Sequence, residues 1–321
     1  MRRPAVIGLF ALLTAGLGAG AVVLGLNLAG DGQSGSVAVT EAEGPFFFRG
    51  DWEASEPILG QWSGAQCENT GTVKDDATWN RGNIYVVTDV VAKGKQAMRV
   101  DLPEDGERIQ ACEALHGRKL GTGHGTPPLE EWYALSIRFP ANYTTRGNGL
   151  SLAQFNFQAI WGAPLALNGQ SPTDNTGGPN QVWLMGHGGE CRPGGTPYPP
   201  GPGCPWSSGI GGTVPPMRII PPDRFATQVW HDLLVHVVWT TNPAEGLIEG
   251  FHRQRGGAWA QTVPPFTGKP TVQWRPGTSV SPTDGTNDKI GAYRGPHTTP
   301  LSIWHDNFCR AATRESVEAC L

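Results

Sequence analysis

The sequence predicts an all-β sandwich of two antiparallel sheets, and three observations carry that reading. Short runs rich in aromatic and β-branched residues alternate apolar and polar side chains, as half-buried strands do. Glycine and proline, 45 and 28 of the 321 residues, punctuate those runs at turns. Twelve Trp and eleven Phe supply aromatic bulk for a core, which disordered chains lack. No long amphipathic helical pattern follows the N-terminus.

The elements follow in order. Met1-Arg2-Arg3 and the uncharged run Pro4 to Gly30 read as a basic n-region and apolar stretch of an export signal. The run also reaches the length of an uncleaved membrane anchor, which leaves both alternatives open. Residues 31–43 read as a polar linker, and 44–321 as one domain. FFFRGDWEASEPILGQW opens it, and KQAMRVDL, ERIQACEAL and EWYALSIRF follow, each ended by a turn signal. SLAQFNFQAIWG comes next, then a Gly/Pro-rich insertion at about 163–224. WHDLLVHVVW and GLIEGFHRQ, separated by TTNPAE, form a hairpin pattern, and DKIGAYR and LSIWHDNFC close the domain.

The formal charge of −4 becomes more negative once a leader carrying two arginines is removed. That argues against a nucleic-acid partner, while a local cationic cleft can still steer a polyanionic sugar. Six cysteines in an exported chain point to disulfides, expected as Cys67 with Cys112, Cys191 with Cys204, and Cys309 with Cys320. Zinc is the weaker alternative, because paired Cys-x-x-Cys spacing is missing. Asn142-Tyr143-Thr144 is a glycosylation sequon.

Two strands carry the candidate chemistry. In DKIGAYR the period of two puts Lys289, Gly291 and Tyr293 on one face. In QFNFQAIW it puts Gln154, Asn156 and Gln158 on one face and Phe155, Phe157, Ala159 and Trp161 on the other. An isolated strand of the second kind reads as an ordinary solvated face. Beside a strand offering a cation, a bare gap and a phenol, the row of amides suits an acidic sugar chain better.

The Lys-x-Gly-x-Tyr strand, with WYALSIRFP, FQAIWGAPLAL, VWHDLLVHVVWT, GLIEGFHR and IWHDNF in that order, resembles the heparin-lyase-I-like polysaccharide lyases. More distantly it resembles alginate and glucuronan lyases on the same concanavalin-A-like β-jelly roll. The resemblance implies β-elimination on a uronate-containing polysaccharide, in which the sugar carboxylate is neutralised before a base removes the C5 proton. It implies Tyr293 as the acid and a candidate base, Gln158 helped by Asn156 as neutraliser, and Arg108 and Lys289 as carboxylate-binding cations. Gln154 and His187 are the further substrate-binding candidates.

The sequence departs from that pattern in two places. Where the family carries Gln-x-His, this chain has Ile160, or Trp161 if aligned by the following glycine. Where the family carries Arg-x-Glu, it has Arg108-Ile109-Gln110. Tyr293 as base needs a cation to lower a phenol that starts near pKa ~10. Lys289 lies four residues, about 13 Å, along the strand, and Arg294 points to the opposite face, so Arg108 is the expected partner. His187, His116 and His124 are the substitute bases, and His231, His236, His252 and His305 read as structural. Asp306 with Asp51 and Glu53 is a candidate structural Ca2+ site of the kind found in related sandwiches. No closely spaced acids of a glycosidase pattern occur.

The expectation is therefore a secreted or outer-face-anchored, monomeric polysaccharide lyase. The alternative is a non-catalytic carbohydrate-binding jelly roll that has lost its histidine base. A third reading is an extracellular structural domain with no sugar cleft.

Overall fold

A computed structural model describes residues 46–53, 62, 64–67, 71–73, 83–104, 110–118, 129–144, 150–155, 165–169, 180–186, 215–240, 244–268, 271, 286–294 and 298–321. The N-terminal segment, the linker, and Cys191 and Cys204 lie outside them. Alternating strands in this chain need two layers, because each buries one apolar face.

The first sheet holds β1 (Phe46–Gly50), β4 (Ile84–Val87), β5 (Ala97–Leu102), β7 (Leu129–Arg138), β12 (Trp230–Trp239), β13 (Leu247–Gln254), β14 (Ala260–Thr267) and β16 (Leu301–Ala311). Its order is β14-β13-β12-β7-β16-β5-β4, with β1 also paired to β16. The second holds β2 (Gly64–Cys67), β3 (Gly71–Val73), β6 (Gln110–Arg118), β8 (Ser151–Phe155), β9 (Leu165–Asn168), β10 (Val182–Gly186), β11 (Met217–Ile220) and β15 (Thr286–Arg294). Its order is β11-β10-β9-β8-β15-β6-β2-β3. Every pairing in both sheets is antiparallel, and the all-β jelly-roll expectation holds. The hairpin read across TTNPAE is β12–β13, in register from His231↔Gln254 to Val238↔Leu247.

Three strands, β9 to β11, lie inside the stretch read as a Gly/Pro-rich insertion. They are only four or five residues long and sit among Gly and Pro, so their short apolar alternation was hidden by the punctuation. The strand Ala260–Thr267 was likewise not singled out, and its two prolines, Pro264 and Pro265, fit its place at a sheet edge.

Both sheets contribute to one core. Tyr133, Leu135, Leu233, Val235 and Val237 come from the first, and Leu152, Phe155, Leu167, Leu184 and Ile290 from the second. A short helix, α1 (Arg314–Cys320), covers part of the other face of the first sheet. Thr313 caps it by accepting from the Ser316 N–H, Val317 and Cys320 pack with Trp132, Ala134 and Leu234, and Cys320 is bonded to Cys309. As a result β7 and β12 are buried on both faces along most of their length, polar residues included. The Cys67–Cys112 bridge joins neighbouring strands β2 and β6.

Buried charges tie the layers together. Glu131 is fully buried and accepts from Arg310 (2.9 Å), the Tyr133 hydroxyl (2.6 Å) and Trp239 Nε1 (2.8 Å). Arg310 Nε also stands 3.8 Å from Asp288 Oδ2 on β15, so one guanidinium serves both sheets. Asp232 is held by Arg253 and Arg255, and Arg255 donates onward to the carbonyls of Ala92 and Leu321, fastening the C-terminus.

Two predictions follow from this burial. Arg310→Met leaves Glu131 with an uncompensated buried charge and is expected to cost about 3–5 kcal/mol in urea denaturation at neutral pH. Burial also pushes His252 and His305 down to about 3. Their folded values lie below the unfolded one, so the stability they lend is present above about 6.5 and lost as pH falls. Asp306, raised to about 7 chiefly by burial, acts in the opposite sense, its contribution complete below about 4 and gone above 7. His305→Leu should therefore reduce the drop in denaturation midpoint between pH 7 and pH 5, and an unchanged drop would refute the assignment.

Candidate active site

The strand β15 pairs with β6 without interruption, from Thr286↔Arg118 to Arg294↔Gln110. Its alternation is therefore strict. Asp288, Ile290, Ala292 and Arg294 are buried, facing the core, while Lys289, Gly291 and Tyr293 share the outward face. Lys289 and Tyr293 are half-buried there. Arg294 points inward and donates to the Pro103 carbonyl (3.0 Å), as the strand period demands.

On its other side β15 meets β8 through a bulge. Ile290 opposes Ala153, but Tyr293 opposes Ser151, so β15 carries one extra residue. A second irregularity separates β8 from β9, where Ala153 opposes Leu167 and Ser151 opposes Asn168. The two shifts together let Leu152, Ala153 and Phe155 all enter the core while Ser151 and Gln154 turn outward. Bulges re-aim side chains in this way next to functional sites.

Gly291 is needed for a different reason. A Cβ there would lie 2.1 Å from the Cys112 carbonyl oxygen and 2.7 Å from Glu113 Cα, both backbone atoms that cannot step aside. The bare residue lets β6 approach and seats Glu113 directly opposite, on the outward face between Lys289 and Tyr293. Glu113 is only 3 % exposed, accepts from Gln154 Nε2 (2.9 Å) and pairs with Lys289 Nζ at 3.6 Å. Burial raises its carboxyl above the usual range, opposed by the Lys289 charge and by hydrogen bonds from Lys289 and Gln154. Three adjacent strands thus join an amide, an acid and an ammonium beside the Tyr293 position.

Glu113 was not among the residues the sequence reading selected. Its signal was a lone acid in an otherwise small and apolar strand, Ala111 to Leu115, with no indication of which glycine stood opposite. Of the expected residues, Tyr293, Lys289 and Gln154 come to one face. Arg108, Asn156, Gln158 and His187 lie outside the described residues, as does His124. His116 belongs to the opposite, inward set of β6 and stacks on Phe48 at 3.6 Å between ring centroids, which removes it from this face. His231 and His252 form a buried pair (2.9 Å), and His236 bridges Glu130 and Glu249 on the first sheet.

The carboxylates considered for calcium have other partners. Asp306 accepts from the N–H groups of Ala92, Lys93 and Asn307, and Glu53 from those of Lys95 and Gln96. Asp51 pairs with Arg49 at 2.6 Å. Both Asp306 and Glu53 gather the same loop, 92–96, against the strand ends. Among the described residues no three His, Cys, Asp or Glu side chains converge as a metal would require.

The two antiparallel sheets form a β-sandwich jelly roll, and Tyr293, Lys289 and Gln154 share one outward face of the second. The sequence profile of the polysaccharide lyase family matches residues 54–309, and the chain belongs to that family. The membership supports a polysaccharide-degrading role. No curated relative matches the chain at the sequence level. Among solved structures, the endo-β-1,4-glucuronan lyase of the fungus Trichoderma reesei is similar at 16 % identity and TM-score 0.52, over 85 % of this chain and 98 % of its own. The alginate lyase of Aplysia kurodai gives 14 % identity and TM-score 0.44, over 80 % of this chain and 93 % of its own. A glycoside hydrolase family 131 catalytic domain from Coprinopsis cinerea gives 9 % and 0.49, over 85 % and 97 %. At 16 % identity the likeness to the glucuronan lyase is one of fold.

The close approach at Gly291 yields a direct prediction. Gly291→Ala should destabilise the domain by roughly 1–3 kcal/mol, the usual cost of overpacking, and should move Glu113 away from Lys289. Chemical denaturation measures the first effect, and an unchanged midpoint would show that β6 and β15 are not held this tightly.

Proposed function

We propose that this protein is an exported polysaccharide lyase that cleaves a uronate-containing polysaccharide by β-elimination. The observation that carries the reading is the β15 register, which puts Tyr293 on the same outward face as Lys289 and Gln154. The two disulfides among the described residues fit an oxidising compartment outside the cell.

In this reading the sugar lies across β8, β15 and β6. Its carboxylate meets Lys289 and the amides of Gln154, Asn156 and Gln158, with Arg108 as a further cation. Neutralising that carboxylate lets negative charge develop on it when the C5–H bond breaks. The Tyr293 phenolate takes the C5 proton, the C5–H electron pair becomes the C4=C5 double bond, and the C4–O bond breaks. The resulting phenol then returns the proton to the departing glycosidic oxygen, so one group serves as base and acid and no co-reactant is consumed. Glu113 supports the arrangement by orienting its neighbours, since it accepts from the Gln154 amide and pairs with the Lys289 ammonium.

Cleavage by this route leaves an unsaturated uronate, whose conjugated double bond absorbs ultraviolet light that the substrate does not, which makes the test direct. Incubated with glucuronan, alginate and a glycosaminoglycan, the protein is expected to generate new absorbance on at least one. Tyr293→Phe should lower that rate at least ~10²-fold, the scale of general acid–base catalysis, while binding persists. No new absorbance on any uronan overturns the lyase reading. Binding that yields no product, and is unchanged in Tyr293→Phe, would identify a carbohydrate-binding module instead.

A further inference from the structure

The outward face that carries Tyr293 continues across the second sheet well beyond the residues considered so far. Residues directly opposed in an antiparallel ladder share a face, so the pairings trace a single row. Tyr293 on β15 opposes Ser151 on β8, Ser151 opposes Asn168 on β9, Asn168 opposes Trp183 on β10, and Trp183 opposes Arg218 on β11. Burial agrees, since the alternate residues Leu152, Leu167, Val182 and Leu184 belong to the core, and those of the row do not.

The far end of the row is built for an anion. The Arg218 guanidinium lies over the Trp183 indole at 4.9 Å from the ring centroid. A cation–π contact of this kind restrains the guanidinium and leaves its N–H fork available for two-pronged hydrogen bonding to a carboxylate. Arg218 is exposed, and it is the one ionisable side chain among the described outward residues of β8 to β11. Those four strands contain no acid to compete for it. Next to it, Asn168 Nδ2 donates to the thioether of Met185 (3.0 Å), a weak acceptor that a sugar hydroxyl readily replaces.

From these observations we infer that Arg218, held by Trp183 and flanked by Asn168, forms a distal subsite for the carboxylate of a uronate residue remote from the bond being cleaved. The inference rests on the reading of this face as the sugar cleft and extends it. From β15 to β10 and β11 the distance is about 14 to 19 Å at the usual strand spacing. A single sugar at Tyr293 does not reach that far, whereas a longer oligouronate does. The substrate class is thereby narrowed to extended polyuronates, with acidic residues on both sides of the reach between Tyr293 and Arg218. An ordinary surface Arg–Trp contact would make the same pair without any dependence on chain length, and that difference is what the test reads.

The experiment compares wild type, Arg218→Gln, Arg218→Lys and Trp183→Leu on size-fractionated oligoglucuronates and oligoalginates, by product absorbance and by isothermal titration. Arg218→Gln is expected to leave the shortest cleaved oligomers unaffected and to raise KM about tenfold for long ones with kcat unchanged, the factor expected for one lost charged contact. Arg218→Lys should recover the effect only in part, because an ammonium lacks the planar fork. Trp183→Leu should shift KM in the same direction, and Arg218→Gln keeps the test open if that variant folds poorly. Equal KM and affinity of wild type and Arg218→Gln at every length overturns the subsite alone. Binding with no new absorbance overturns the lyase reading alone, and the titration then decides the subsite. No binding of any oligouronate overturns both.

Discussion

The arrangement depends on how closely β15 and β6 approach at Gly291. That contact admits no side chain, because the Cys112 carbonyl and the Glu113 Cα occupy the space a Cβ would take. It sets Glu113 opposite the gap, where the acid joins Gln154 and Lys289 across three strands. The same strand must absorb a bulge on its other edge to keep Tyr293 outward against Ser151. A tight edge and a loose edge on one strand thus fix the position of the phenol without any loop.

The core side of β15 explains why the strand tolerates this. Asp288 faces Arg310 of the first sheet near one end, and Arg294 donates to the Pro103 carbonyl just past β5 near the other. Both anchors are buried and belong to the inward set, so they constrain the backbone without occupying the outward face. The outer faces of the two sheets differ. The first is covered in part by α1 and its disulfide. On the second, Ser151, Asn168, Trp183 and Tyr293 are half-buried and Arg218 is exposed, while its inner face fills the core.

Much of this was legible in the sequence where periodicity alone decides. DKIGAYR reads correctly because its partner β6 runs in unbroken register, so Lys289, Gly291 and Tyr293 fall where a period of two puts them. Gln154 and Phe155 likewise take opposite faces, and the pairs Cys67–Cys112 and Cys309–Cys320 form as expected. What escaped was set by neighbours rather than by the strand itself. The bulges in β8 and β15 come from packing, since alternation in SLAQF gives no hint that Leu152 and Ala153 both turn inward. Glu113 owes its place to Gly291 directly opposite, a pairing that the sequence of β6 does not show. The strands β9 to β11 were concealed by the glycines and prolines around them, and with them the Trp183–Arg218 pair. Asn156, Gln158, Arg108 and His187 stay on the resemblance that brought them forward.

The most direct measurement is a crystal structure of the Tyr293→Phe protein soaked with an oligouronate. The account predicts the sugar chain across the outward face of the second sheet, with one uronate carboxylate within hydrogen-bond reach of Lys289 or the Gln154 amide and its C5 hydrogen facing the ring at position 293. An oligosaccharide seated on the first sheet, or one whose carboxylate at that position points to solvent, would contradict it.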